Sequence, residues 1–173
     1  MSVEIRTAAE ILTSELEAEW AARRAQRDDP LLRAIWRAFV ETGGPVALAA
    51  LFRAVPGLAP GTLRERAAAL DAADLIGLDR DRVALAYPFT AARNDFEVIL
   101  PGGRARYACC AIDALGVAPM LGTAVRLRSR CHGSGAPLRF DIDPVAGPRG
   151  APAGSLAWVE RRRWGGDRLS GFL

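Results

Sequence analysis

The sequence predicts an α+β protein: helices gathered in its front half, then a small mixed or antiparallel sheet accompanied by a cysteine-bearing helix. Two observations carry this. From Val3 to about Asp71 apolar residues recur at helical spacing, whereas from Leu75 onward they form short runs, several with period two, broken by Gly and Pro. The division is expected at residue 89, giving a helical module over 1–89 and an α+β unit over 90–173.

Taken in order, Val3 to Arg27 reads as an amphipathic helix with Ile11, Leu12, Leu16 and Trp20 on one face, ended by Asp28-Asp29-Pro30. A second helix is expected from Leu31 to Thr42, burying Leu32, Ile35, Trp36 and Phe39, and Gly43-Gly44-Pro45 stops it. A short helix around Val46 to Ala54 and the turn Val55 to Gly61 lead to a helix that Thr62 can open and that runs to Asp71. Leu75 to Leu78 and Arg82 to Ala86, separated by Asp79-Arg80-Asp81, then look like a hairpin or wing, so Gly43 to Phe89 resembles a winged-helix unit. In the back half, strands are expected over Asp95–Leu100, Thr123–Ser129 and Leu138–Ile142, with a last one near Leu156 to Glu160. Arg104 to Tyr107 should lead into the cysteine helix, which Pro119 ends, and Pro144 to Gly154 should be loop.

Half of the 173 residues are hydrophobic, enough for one ordinary domain or two small ones sharing a core. The net charge of +3 hints at a polyanion partner, but all 23 basic residues are Arg. That is a mark of codon bias, and basicity counts as binding evidence only where the charges cluster on a fold that presents them. In the winged-helix segment Arg64, Arg66, Arg80 and Arg82 could reach phosphates. Too few polar side chains accompany them on the second helix, so a packing module is preferred and DNA is not expected as a partner. Met1 to Glu19 has no secretory-signal pattern and no run is long enough to span a membrane, so a cytoplasmic protein with reduced thiols is expected.

Chemistry is concentrated in Tyr107-Ala-Cys-Cys-Ala-Ile-Asp-Ala-Leu-Gly116. If the whole stretch is helical, Asp113 lies angularly between Cys109, four residues back, and Cys110, three back, so a thiol pair borders a carboxyl group. Soft thiolates select soft metals, and a carboxyl group among apolar neighbours can hold a proton near neutrality. Arg104, Arg106 and the helix N-terminus are candidates for lowering the Cys110 pKa. The plainer reading is that buried cysteines are inert packing. Cys131 with His132 is a poor zinc signal and reads as a structural thiol in a turn, and Gly102-Gly103 is a hairpin turn without a phosphate-loop pattern.

These residues resemble the alkylmercury lyases, whose hallmark is a Tyr-Ala-x-Cys-Ala-x-Asp helix followed by a strand and a Ser-x-Cys-x-x-Thr/Ser-Gly-x-Pro turn. The matching residues are Tyr107, Ala108, Cys110, Ala111 and Asp113, then Ser129, Cys131, Ser134, Gly135 and Pro137. The resemblance is closest from Arg104 to Ile142, and Gly43 to Phe89 fits the family's winged-helix-like front half more loosely. It implies protonolysis of a carbon–mercury bond to hydrocarbon and Hg(II). Cys110 is then the nucleophile and mercury ligand, and Asp113 supplies or relays the proton. It further implies no required cofactor, Hg(II) as bound product, an organomercurial or other thiophilic small molecule as partner, and a thiol reductant. The family's second catalytic Cys, expected near the end of Ser170-Gly-Phe-Leu173, has no counterpart here. Three readings stay open: Cys109 is the second mercury ligand, the chain is a truncated non-catalytic relative, or the pocket serves another ligand. A winged-helix transcriptional or thiophilic-metal-sensing regulator is the alternative from a different class.

Overall fold

The computed structural model describes residues 5, 7, 10, 13–26 and 28–157. In chain order these residues form α1 (Ser14–Ala25), α2 (Pro30–Thr42), β1 (Val46–Ala47), α3 (Leu48–Leu51), α4 (Pro60–Ala72), β2 (Ile76–Asp79), β3 (Arg82–Ala86), β4 (Phe89–Thr90) and β5 (Glu97–Ile99). They continue with β6 (Ala105–Ala108), α5 (Ala111–Leu121), β7 (Val125–Arg130), β8 (Pro137–Asp143) and β9 (Gly147–Arg149). The α+β class is as expected, but the sheet is larger. Nine strands join in the order β1-β3-β4-β6-β5-β7-β8-β9, with β2 along the other edge of β3 and every ladder antiparallel.

Local chemistry explains the helix ends. The Asp29 carboxylate accepts from the Leu31 and Leu32 amides at 2.8 and 3.1 Å, and Pro30 at the first position gives up no needed donor. Such a cap stabilises a helix by about 1 kcal/mol. At the other end Gly43 takes a left-handed φ of 83° and its N–H returns to the Phe39 carbonyl. The buried face Leu31, Leu32, Ile35, Phe39 follows the helical period, and Phe39 stacks on Phe89 of β4 with ring centroids 6.5 Å apart. One buried cluster thus runs from Leu31 in α2 to Ile142 in β8, with Val98, Val125 and Leu127 of the sheet meeting Ala114, Val117 and Ala118 of α5.

Several expected boundaries move. Helix α1 is described from Ser14 to Ala25, while Ile11, Leu12 and the side chains of Leu16 and Trp20 lie outside the described residues. Val46 and Ala47 are not helical: they pair with Val83 and Arg82. Arg104 to Tyr107 does not enter a helix, because Ala105–Ala108 is strand β6, held between β4 and β5. The sheet keeps claiming backbone donors beyond it. Ala108 N–H bonds Phe96 O at 2.9 Å and Cys109 N–H bonds Pro88 O at 3.0 Å, so α5 cannot begin before Cys110. Pro119 does not end α5. The helix continues to Leu121 and stops at Gly122, whose φ of 64° only glycine adopts cheaply. Gly147–Arg149 adds an edge strand inside the expected loop; Leu156 and Ala157 are not strand, and Trp158 to Glu160 and Arg161 to Arg163 lie outside the described residues.

Arg106 ties the two halves together. Its side chain, only 7% exposed, leaves β6 and donates to Val40 O at 2.9 Å and Glu41 O at 2.7 Å, carbonyls at the C-terminus of α2. These carbonyls have no partner within the helix, and the cation sits at the negative end of its dipole. No helix among the described residues is long and apolar enough to cross a membrane.

Candidate functional site

Cys110 is the N-cap of α5 and Asp113 is its third residue. The cap residue is extended, with φ −153° and ψ −179°, and its sulfur accepts the Asp113 N–H at 3.4 Å. In return the thiol donates to Asp113 Oδ2 at 3.1 Å. Thiol and carboxyl therefore converge at the positive end of a helix. The arrangement has the spacing of a capping box, but sulfur is a weak acceptor, and Ser, Thr, Asp or Asn would cap better.

Both groups are partly buried, and burial dominates their titration. It pushes the Cys110 thiol up to about 11, helped by the Asp113 charge and opposed by the amides of Asp113 and Ile112. It also raises the Asp113 carboxyl above the usual carboxylate range, against the hydrogen bond from Cys110, which lowers it. The expected depression of the Cys110 pKa does not occur. The helix N-terminus acts in the expected direction but is outweighed; Arg104 is exposed, and the Arg106 guanidinium is occupied with the α2 carbonyls. At neutral pH the pair holds a thiol hydrogen-bonded to its acceptor.

Cys109 lies elsewhere. It sits between β6 and the helix, so the helical-angle argument that set it beside Asp113 does not apply. The residue is 5% exposed, and it forms part of the wall of a cleft of ≈ 380 Å³ with Gly77, Leu85, Thr90, Arg93 and Asn94, a wall that includes neither Cys110 nor Asp113. Burial drives its thiol far above the ordinary range, with the charges of Asp113 and Cys110 adding to the effect. Cys131 follows β7, where its backbone bonds to Ala136 O and Gly135 N–H fix a turn. A hydrogen bond involving Ser134 lowers its pKa, followed by the amides of Ser134 and Gly133. Among the described residues no three His, Cys, Asp or Glu groups are placed to hold a metal ion.

One neighbour carried no sequence signal. The Tyr87 hydroxyl is buried without a hydrogen-bond partner among the described residues, and its pKa is driven up by burial first and then by the charges of Asp74, Cys109 and Asp113. A Tyr-Pro pair at a strand end does not announce that environment. Three of the four front arginines have partners within the fold: Arg64 pairs with Asp81 at 2.9 Å, Arg66 pairs with Asp29, and Arg82 donates to Pro45 O, while Arg80 is exposed.

The fold and this corner together define a class: an α+β protein that joins a thiol and an acid at the N-terminus of a helix packed on a large antiparallel sheet. The alkylmercury lyase family model matches residues 89–164, which cover this corner. Over that segment, a little under half of its length, the chain is similar to the alkylmercury lyases. Alkylmercury lyases of Bacillus cereus and Clostridium butyricum are each 38% identical to it over 42 residues, 24% of this chain and 19% of the relative. The match thus spans about a fifth of each curated relative's length. The crystal structure of the mercury-bound form of MerB2 shares the fold with a TM-score of 0.59 at 20% identity, covering 76% of this chain and 65% of that one.

Proposed function

We propose that this chain cleaves carbon–mercury bonds, releasing hydrocarbon and Hg(II), with Cys110 as nucleophile and mercury ligand and Asp113 as proton relay. The observation that carries the reading is the 3.1 Å hydrogen bond from the Cys110 thiol to Asp113 Oδ2. As sulfur bonds to the mercury of an organomercurial, displacing its exchangeable ligand, the thiol proton passes to the Asp113 carboxylate. The carbon–mercury bond then breaks, its electron pair taking that same proton from Asp113 onto carbon. The hydrocarbon leaves, and Hg(II) remains on Cys110 until soluble thiol removes it. One proton is moved twice, and none is drawn from bulk water. Burial supports the first transfer, since a raised Asp113 pKa makes the carboxylate a better base for the thiol proton.

Cys109 remains the candidate second mercury ligand: it enters as a thiol, and the proton it loses on bonding to Hg(II) passes to Asp113, which is a carboxylate again once its first proton has gone to carbon. No resident cofactor is needed, because mercury arrives with the substrate. We read 1–89 as a winged-helix-like packing module, in the order α2, β1, α3, α4, β2, β3, and 90–173 as the unit carrying the site. The internal pairing of Arg64 and Arg66 favours packing over DNA binding. The test is to incubate the purified chain with an organomercurial and excess thiol and measure hydrocarbon release. Release from the wild type that is lost in Cys110→Ser and Asp113→Ala supports the reading; no release above the thiol-only background refutes it.

A further inference from the structure

On the face of the sheet opposite α5, the strands carry two neighbouring cross-strand rows of side chains. One is charge-matched: Arg126 of β7 stands opposite Asp141 of β8, which stands opposite Arg149 of β9, and the Arg126–Asp141 pair closes at 2.8 Å. The other row runs Tyr107, Glu97, Arg128, Arg139 across β6, β5, β7 and β8, and it ends in two arginines directly opposite each other. Like charges in that position repel.

The diagonal neighbours of Arg139 on β7 are Arg126 and Arg130, so three guanidinium groups face it from that strand. Its carboxylate neighbours are already engaged. Glu97 takes Arg128 at 3.4 Å and Asp95 takes Arg130 at 3.9 Å, both loosely, while Asp141 is held by Arg126. Arg139 itself has no hydrogen bond or ion pair among the described residues. Arg128, Arg130 and Arg139 line a cleft of ≈ 270 Å³ together with the paired carboxylates Asp95 and Glu97 and with Tyr107, Asn94 and Pro137. Three arginines against two carboxylates leave the wall of this cleft net basic, with Arg139 the cation left over.

We propose that this cleft is a binding site for a small free oxyanion, a carboxylate or phosphate, bridging Arg128 and Arg139. Guanidinium forks match such groups in bidentate fashion, and the bound charge relieves the repulsion in the row. The cleft is at the small end of ligand sites, which favours a small molecule over a peptide or nucleic acid strand. It is separate from the Cys110–Asp113 corner, since α5 packs on the inner face through Val98, Val125 and Leu127.

The test is isothermal titration of the full chain with inorganic phosphate and with succinate at low ionic strength, where surface charges are least screened. At least one of the two should bind saturably at one site, and Arg139→Gln should weaken it by about tenfold or more, while Arg64→Gln leaves it unchanged. In the wild type the Nε–H signals of Arg128 and Arg139 should shift together during the titration. The relative affinities distinguish phosphate from carboxylate. The proposal is overturned if neither anion saturates, or if Arg139→Gln binds as tightly as the wild type.

Discussion

Cys109 and Cys110 are adjacent in the chain and occupy two different regions of the molecule. Cys109 still belongs to the sheet, its N–H bonded to Pro88 O, its side chain buried against a cleft on the strand side. Cys110 opens the helix and shares a hydrogen bond with Asp113. The surroundings of each thiol therefore follow the switch from strand to helix rather than the pair of letters. The thiol next to the sheet is governed by burial, with the charges of Asp113 and Cys110 acting in the same direction, whereas the thiol at the cap gains helix amides and an acid within hydrogen-bond reach of its proton.

The largest effect that separates the two is on chemistry. Cys110→Ser should abolish hydrocarbon release while the helix stays capped, because a hydroxyl caps at least as well as a thiol. Thermal unfolding should therefore show no loss of stability. Asp113→Asn should lower turnover by about 10²–10⁴-fold, the usual contribution of a positioned acid or base. A variant that keeps full rate would reduce the corner to a cap.

Arg106 tests how much the tie between β6 and the end of α2 contributes to the fold. Arg106→Met should cost about 1–2 kcal/mol in denaturant unfolding, since part-buried α2 carbonyls lose their donors. Substituting Cys109 should be milder. Cys109→Ala should cost about 1 kcal/mol as a small buried apolar group and change turnover less than about tenfold. A loss as deep as that of Cys110→Ser would instead make Cys109 an essential mercury ligand.

The smallest effect is on the pH dependence of stability. A thiol raised from 9.0 to about 11 is protonated in the fold when the unfolded chain has already ionised. Its contribution is therefore complete below pH about 9 and is lost as pH rises through about 11. Unfolding midpoints of Cys110→Ser followed across that window should fall less steeply than those of the wild type.

Much of the front half was legible because its signals are local. Asp29-Pro30 before an apolar face and Gly43 after it mark α2 without reference to anything distant, and Asp79 to Arg82 marks a hairpin. In the back half the period-two runs gave β5, β7 and β8, and the alternation of Val125, Arg126, Leu127 and Arg128 gave their two faces. What failed was Arg104 to Cys109. Taken alone, Arg-Ala-Arg-Tyr-Ala-Cys-Cys-Ala is as good a helix as a strand, and only the donors and acceptors of β4 and β5 on either side settle the matter.

The sequence by itself determined the α+β class and the three-residue spacing that lets Cys110 and Asp113 meet, because periodicity and spacing are properties of a short stretch of chain. Tertiary structure decided the rest: that Cys109 turns to the strand side, that burial raises rather than lowers the thiol pKa, and that Arg106 is spent on α2. Each of these depends on which distant strand or helix end supplies the neighbouring dipoles and excludes water. Such partners are brought together only by long-range packing, so no local pattern encodes them.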